Sequence, residues 1–168
     1  MKIIYRVSPL KPDNLPIYYP DDKYKLVEMC HNSFLKAGGY NYDITYICDG
    51  CDWAKDWGKM IEINKKSKVG SLLCAYETAL QFEEPILYVE DDYLWRPDTL
   101  PLMEKALEIL PVLSPYDHPG HYIEERFDKH FEMKLIGNQT YRTCPSNTHT
   151  FGIQNKVFRE NYNHMVKC

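Results

Sequence analysis

Residues 85–89, PILYV, are apolar or aromatic at every position and run straight into Glu90, Asp91 and Asp92. A strand apolar on both faces has to be covered on both, as an inner strand of a mainly parallel sheet between helices is. The surrounding pattern agrees. Residues 2–7 (KIIYRV), 42–50 (YDITYICDG) and 60–64 (MIEIN) read as further strands. Between them, 21–37 and 69–82 carry apolar residues at helical spacing, the first stopped by Gly38-Gly39. After the apolar run, 96–110 predicts a third helix with Asp98 as N-cap and Pro101 in its first turn. Strand and helix in alternation specify an α/β sandwich with right-handed crossovers.

Beyond Pro111 the rhythm changes. A short strand is expected at 112–114, a proline- and histidine-rich loop at 113–122, and a hairpin turning at Gly137-Asn138 within 131–144. Residues 122–131 read as helical, 148–154 as a strand, and 155–165 as a closing helix capped by Asn155. The 168 residues suit one domain with a core of its own. Its formal charge of -4 speaks against a surface built for nucleic-acid phosphates. No apolar run reaches the length of a membrane span, and the N-terminal run is too short for a signal peptide, so a cytoplasmic protein is expected. The six cysteines read as free thiols of a reducing compartment. Cys48 and Cys51 have the spacing of half a zinc site, which Cys144 and His149 would complete.

The acid triplet stands at the carboxyl end of an inner strand, the edge where open α/β sheets bind ligands. On an extended backbone Glu90 and Asp92 point to one side and Asp91 to the other. Such a pair can share a divalent ion, and oxygen donors without cysteine favour Mg²⁺ or Mn²⁺. Flanked by Tyr88-Val89 and Tyr93-Leu94-Trp95, the three carboxylates need a counter-charge, and a bound cation is the expected one. The alternative is a solvated turn. A second pair of acids, Asp49 and Asp52, flanks the turn glycine of ICDGCDW at another strand end. Fixed carboxylates there suit a ligand's hydroxyls or base edge, although an Asp capping its own turn leaves the same sequence.

These two stretches resemble motifs of the nucleotide-sugar-dependent glycosyltransferases of GT-A fold. YICDGCD is similar to their strand-end acidic turn that receives the nucleoside base, and ILYVEDDYLWRPDTL to their DxD segment. The resemblance covers residues 2–110 and implies a GT-A-like, Rossmann-like sheet flanked by helices, with a small C-terminal hairpin region. It implies that 1–110 binds the nucleotide sugar and that 111–168 is a reduced acceptor side, the chain being short for this family. Asp49 and Asp52 would then contact the nucleoside, and Ser67, Gly70 and Ser71 would form a small-residue helix start near the donor. Glu90, Asp91 and Asp92 would hold the metal or donor, with His118 or His149 as a later metal ligand. Glu90 stands where the motif has Asp, so Glu90 with Asp92 and Asp91 with Asp92 are both candidate pairs.

The expected reaction moves a sugar from a nucleoside-diphosphate sugar to the hydroxyl of a saccharide, protein or other acceptor, with Mn²⁺ or Mg²⁺ assisting departure of the diphosphate. Asp92 would serve the reacting centre, Asp117 would take the acceptor's proton if the transfer inverts, and Arg142 would assist the diphosphate. Rival readings are a noncatalytic nucleotide or sugar binder, a metal-dependent nucleotidyltransferase or phosphohydrolase, and a protein-interaction module. The glycine-rich phosphate loop of a nucleotidyltransferase is absent after the first strand. Tyr- and Trp-containing loops leave a homodimer open.

Overall fold

A computed structural model of the chain describes residues 1–10, 19, 21–117, 122, 131–144 and 150–167. Six strands, β1 (Lys2–Val7), β2 (Ile44–Asp49), β3 (Lys59–Ile63), β4 (Ile86–Glu90), β5 (Val112–Leu113) and β8 (Phe151–Ile153), form one sheet in the order β3-β2-β1-β4-β8-β5. The first four are parallel, while β8 runs antiparallel to β4 and β5. Strands β6 (Met133–Ile136) and β7 (Gln139–Arg142) make a separate two-stranded hairpin, turning at Gly137 with φ +62. Helices α1 (Lys23–Lys36), α2 (Lys68–Ala79), α3 (Thr99–Leu107) and α4 (Asn155–Met165) complete the described elements.

The period-two geometry of the strands divides the core into two layers. Ile3, Tyr5 and Val7 of β1 and Leu87 and Val89 of β4 pack with Val27, Phe34 and Leu100 on the face of α1 and α3. Ile4, Ile86 and Tyr88 face the other way, onto Ala75 and Tyr76 of α2 and Phe158 of α4. Burial on both faces is what the uninterrupted apolar run of β4 required. It also places the acid triplet at the carboxyl edge of the sheet's middle.

Two caps differ from expectation. Asp98 sits at the N-cap of α3 with φ 60 and makes no capping bond with its side chain. The Leu100 N–H instead donates to the Ala37 carbonyl, 3.2 Å away, so a neighbouring helix end does the work expected of the cap. Gln154, not Asn155, precedes α4. The Asn155 amide turns away to donate to the Phe82 carbonyl and to accept from Arg159, tying α4 to the loop before β4. Among the described residues no helix is long and apolar enough to cross a membrane.

Candidate functional site

The carboxyl ends of β1, β2 and β4 are neighbours, and each delivers charge to the same edge. Asp49, the last residue of β2, is buried. Its carboxylate accepts from the backbone N–H groups of Lys65, Lys66 and Ser67 at 2.7, 2.8 and 3.0 Å. Three donors converge because Lys66 takes a left-handed conformation, φ 49. Asp49 therefore shapes the loop that starts α2, accepting two bonds at Oδ1 and one at Oδ2. Asp52 lies exposed, 3.4 Å from Lys55. Ser67 caps α2 by accepting from the Gly70 N–H. The Ser71 hydroxyl accepts from Arg6 Nη2 at 3.0 Å and donates to the Lys68 carbonyl.

Arg6 connects this helix start to the triplet. It pairs in register with Glu90 across β1 and β4, and its Nη1 lies 3.5 Å from Glu90 Oε1. Burial lowers the guanidinium's pKa, and the Glu90 charge opposes that. Burial raises the Glu90 carboxyl from its ordinary 4.5 to about 7, against the pull of Arg6 and with Asp92 and Asp91 adding to the rise. The Glu90 N–H donates to the buried Thr150 hydroxyl at 3.0 Å. On the opposite face, buried Asp91 accepts from Lys23 Nζ and from the Ser8 N–H, both at 2.8 Å. Burial raises its pKa and Lys23 holds it down.

Two protein cations, Arg6 and Lys23, thus stand where a bound ion was expected to supply the counter-charge. Asp91 is committed to Lys23 and Ser8 and leaves the candidate ligand set. Asp92 differs from both: it is half-buried, and its Oδ1 is buried with no hydrogen-bond partner among the described residues. An orphaned buried carboxylate oxygen is costly unless a donor or cation meets it. Among the described residues no three His, Cys, Asp or Glu side chains form a metal cage. Carboxylate oxygens are the donor type that a hard divalent cation takes, and Glu90 and Asp92 each carry a carboxylate on this edge. His118 and His149 lie outside the described residues. Cys30, Cys48, Cys51 and Cys74 are free thiols, and the Cys48–Cys51 pair belongs to no metal cluster among the described residues.

Beside this edge, α3, β5 and the β6–β7 hairpin enclose a cavity of about 720 Å³. Asp117 and Arg142, both singled out from sequence, meet in its wall: Arg142 Nη2 and Nε donate to the Asp117 carboxylate, and the Tyr122 hydroxyl donates to it too. The Arg142 guanidinium also lies 4.5 Å from the Tyr122 ring and 5.5 Å from that of Phe131. Cavity and acid edge are linked, since Ser114 in the cavity wall donates to the carbonyl of Thr150, whose hydroxyl serves Glu90.

No family model matches the chain, and no curated protein matches it in sequence. Solved structures do match. CMP:2-keto-3-deoxy-manno-octonic acid synthetase complexed with CTP superposes with a TM-score of 0.50 at 12% identity, over 97% of this chain and 77% of that one. The 4-diphosphocytidyl-2C-methyl-D-erythritol synthase of Anaerococcus prevotii gives a TM-score of 0.52 at 12% identity, over 99% and 77%. The fold is GT-A-like. At this identity the likeness is one of fold, and these two structures are named as synthases of cytidine-nucleotide products, not as glycosyltransferases.

Sequence reasoning missed Arg6, Lys23 and Thr150. One signal was present for Arg6, a lone charge inside the otherwise apolar strand KIIYRV. A buried arginine there calls for a carboxylate on a neighbouring strand.

Proposed function

We propose that the chain is a nucleotide-dependent transferase that moves a sugar from a nucleoside-diphosphate sugar to an acceptor hydroxyl, at the carboxyl edge of β1, β2 and β4. The observation that carries the reading is the buried oxygen of Asp92 that has no hydrogen-bond partner among the described residues, on the edge where this fold class binds ligands. A divalent cation held by Asp92 and Glu90 would supply charge neutralisation on the departing diphosphate. Arg6 fixes the Glu90 carboxylate against α2, and Asp49 fixes the loop that brings Lys68 to the same edge. Asp117 is our assignment for the group that takes the acceptor's proton in an inverting transfer, oriented by Arg142.

A second reading is nucleotidyl transfer from a nucleoside triphosphate, and the solved structures favour it over glycosyl transfer, since both carry cytidylyl chemistry in their names. The composition after β1 speaks against it. Holding three phosphates and expelling pyrophosphate draws on backbone N–H groups of a glycine-rich loop. Residues 8–20 contain no glycine and four prolines, which have no N–H to give.

Calorimetric titration with UDP and with CTP, each with and without Mg²⁺, followed by product assays, separates the readings. Release of UDP from UDP-sugars supports glycosyl transfer, and release of pyrophosphate from CTP supports the alternative. Nucleotide binding without turnover of either would show a noncatalytic binder.

A further inference from the structure

The cavity between α3, β5 and the hairpin has a size typical of small-molecule sites, about 720 Å³. Its floor is apolar, from Leu102, Met103 and Leu113, and Tyr116 and Tyr141 stand in its wall. Five charged residues line it: Arg96, Lys134, Arg142, Asp117 and Glu132. Arg142 and Asp117 neutralise each other. Arg96 and Lys134 have no side-chain hydrogen bond or ion pair among the described residues, and Glu132 alone opposes them with its carboxylate. In a chain of formal charge -4, the described residues of this wall carry three cations against two carboxylates and are locally positive. The wall is connected to the edge that carries Glu90, Asp91 and Asp92 through Ser114 and Thr150.

A positive wall in a concave, partly apolar site concentrates anions. Tyrosine rings supply an apolar face with a hydroxyl at its rim, which suits the face of a sugar ring. We propose that this cavity is the second-substrate site and selects a hydroxylated acceptor that carries an anionic group, a carboxylate or a phosphate, through Arg96 and Lys134. The inference rests on the transferase reading, because it takes the cavity's occupant to be the acceptor served at the neighbouring edge. Arg142 is a positioning residue, holding Asp117 in the wall.

The test is calorimetric titration of the full chain, in saturating UDP and Mg²⁺, with glucuronic acid, glucose 6-phosphate and glucose. One or both anionic sugars should bind at least about tenfold more tightly than glucose, the scale of one hydrogen bond to a charged group. The double variant Arg96→Gln/Lys134→Gln should lose that preference, with an unchanged unfolding midpoint as its fold control. Which anion is preferred tells carboxylate from phosphate. Equal binding of all three sugars, no binding of any, or a preference that survives in the double variant would overturn the inference. UDP affinity is measured separately: if UDP does not bind but the charge-dependent preference remains, the transferase reading fails and the anion site stands.

Discussion

At the scale of single residues, the acid triplet divides its labour. Glu90 answers to Arg6 and Asp91 to Lys23, while Asp92 keeps a buried oxygen with no hydrogen-bond partner among the described residues. Removing one member of a buried pair leaves an uncompensated charge, so Lys23→Met should cost about 3–5 kcal/mol in urea unfolding. The double variant Lys23→Met/Asp91→Leu should recover most of that; if it does not, the pair is not what holds the turn. Glu90 adds a pH dependence. Its carboxyl is raised from 4.5 to about 7 in the folded chain, which therefore binds a proton that the unfolded chain has released between those values. Stability from this group is full below about pH 4.5 and is lost as pH rises through about 7. Glu90→Gln should therefore gain stability relative to the parent between pH 5 and pH 8, by an amount on the order of 2 kcal/mol. An equal difference at both pH values would contradict the assignment. The acids were legible in the sequence because they are adjacent. Their counter-charges were not, because Lys23 stands 68 positions from Asp91 and only the fold brings them together.

At the scale of elements, Asp49 shows a motif residue acting through the chain around it. Its three backbone bonds shape the loop before α2, so Asp49→Ala leaves three N–H groups without their acceptor. Amide exchange at residues 65–67 should accelerate in that variant, and stability should fall by roughly 2 kcal/mol. Unchanged exchange there would mean that the loop holds itself. Asp98, left-handed and uncapping at the start of α3, is a residue under strain. Asp98→Gly should raise stability by about 0.5–1 kcal/mol in the same assay. The helices and the first four strands were readable because apolar spacing reports burial, and burial is what the sheet imposes on them. Caps were less readable: both Asp98 and Asn155 look like caps in sequence, and in each a partner from another element decided otherwise.

At the scale of the whole molecule, the insertion of β8 between β4 and β5 is the feature least visible in the chain. Phe151–Ile153 is three residues long, and nothing in FGI states that it runs against its neighbours. Its position places Thr150 at Glu90, so the sheet order itself completes the acid edge. The hairpin stands apart in its own sheet, with Met133 62% and Leu135 72% exposed. Its amides should exchange well before those of β1 and β4, which lie between two buried layers. Whether the edge takes a nucleotide with its cation turns on Asp92. Calorimetry of UDP binding with and without Mg²⁺, on the parent chain and on Asp92→Ala, tests it most directly. Binding should be strengthened by the ion and weakened at least about tenfold by the substitution, about 1.4 kcal/mol. Equal affinity with and without Mg²⁺, or an Asp92→Ala chain that binds as the parent does, would contradict it.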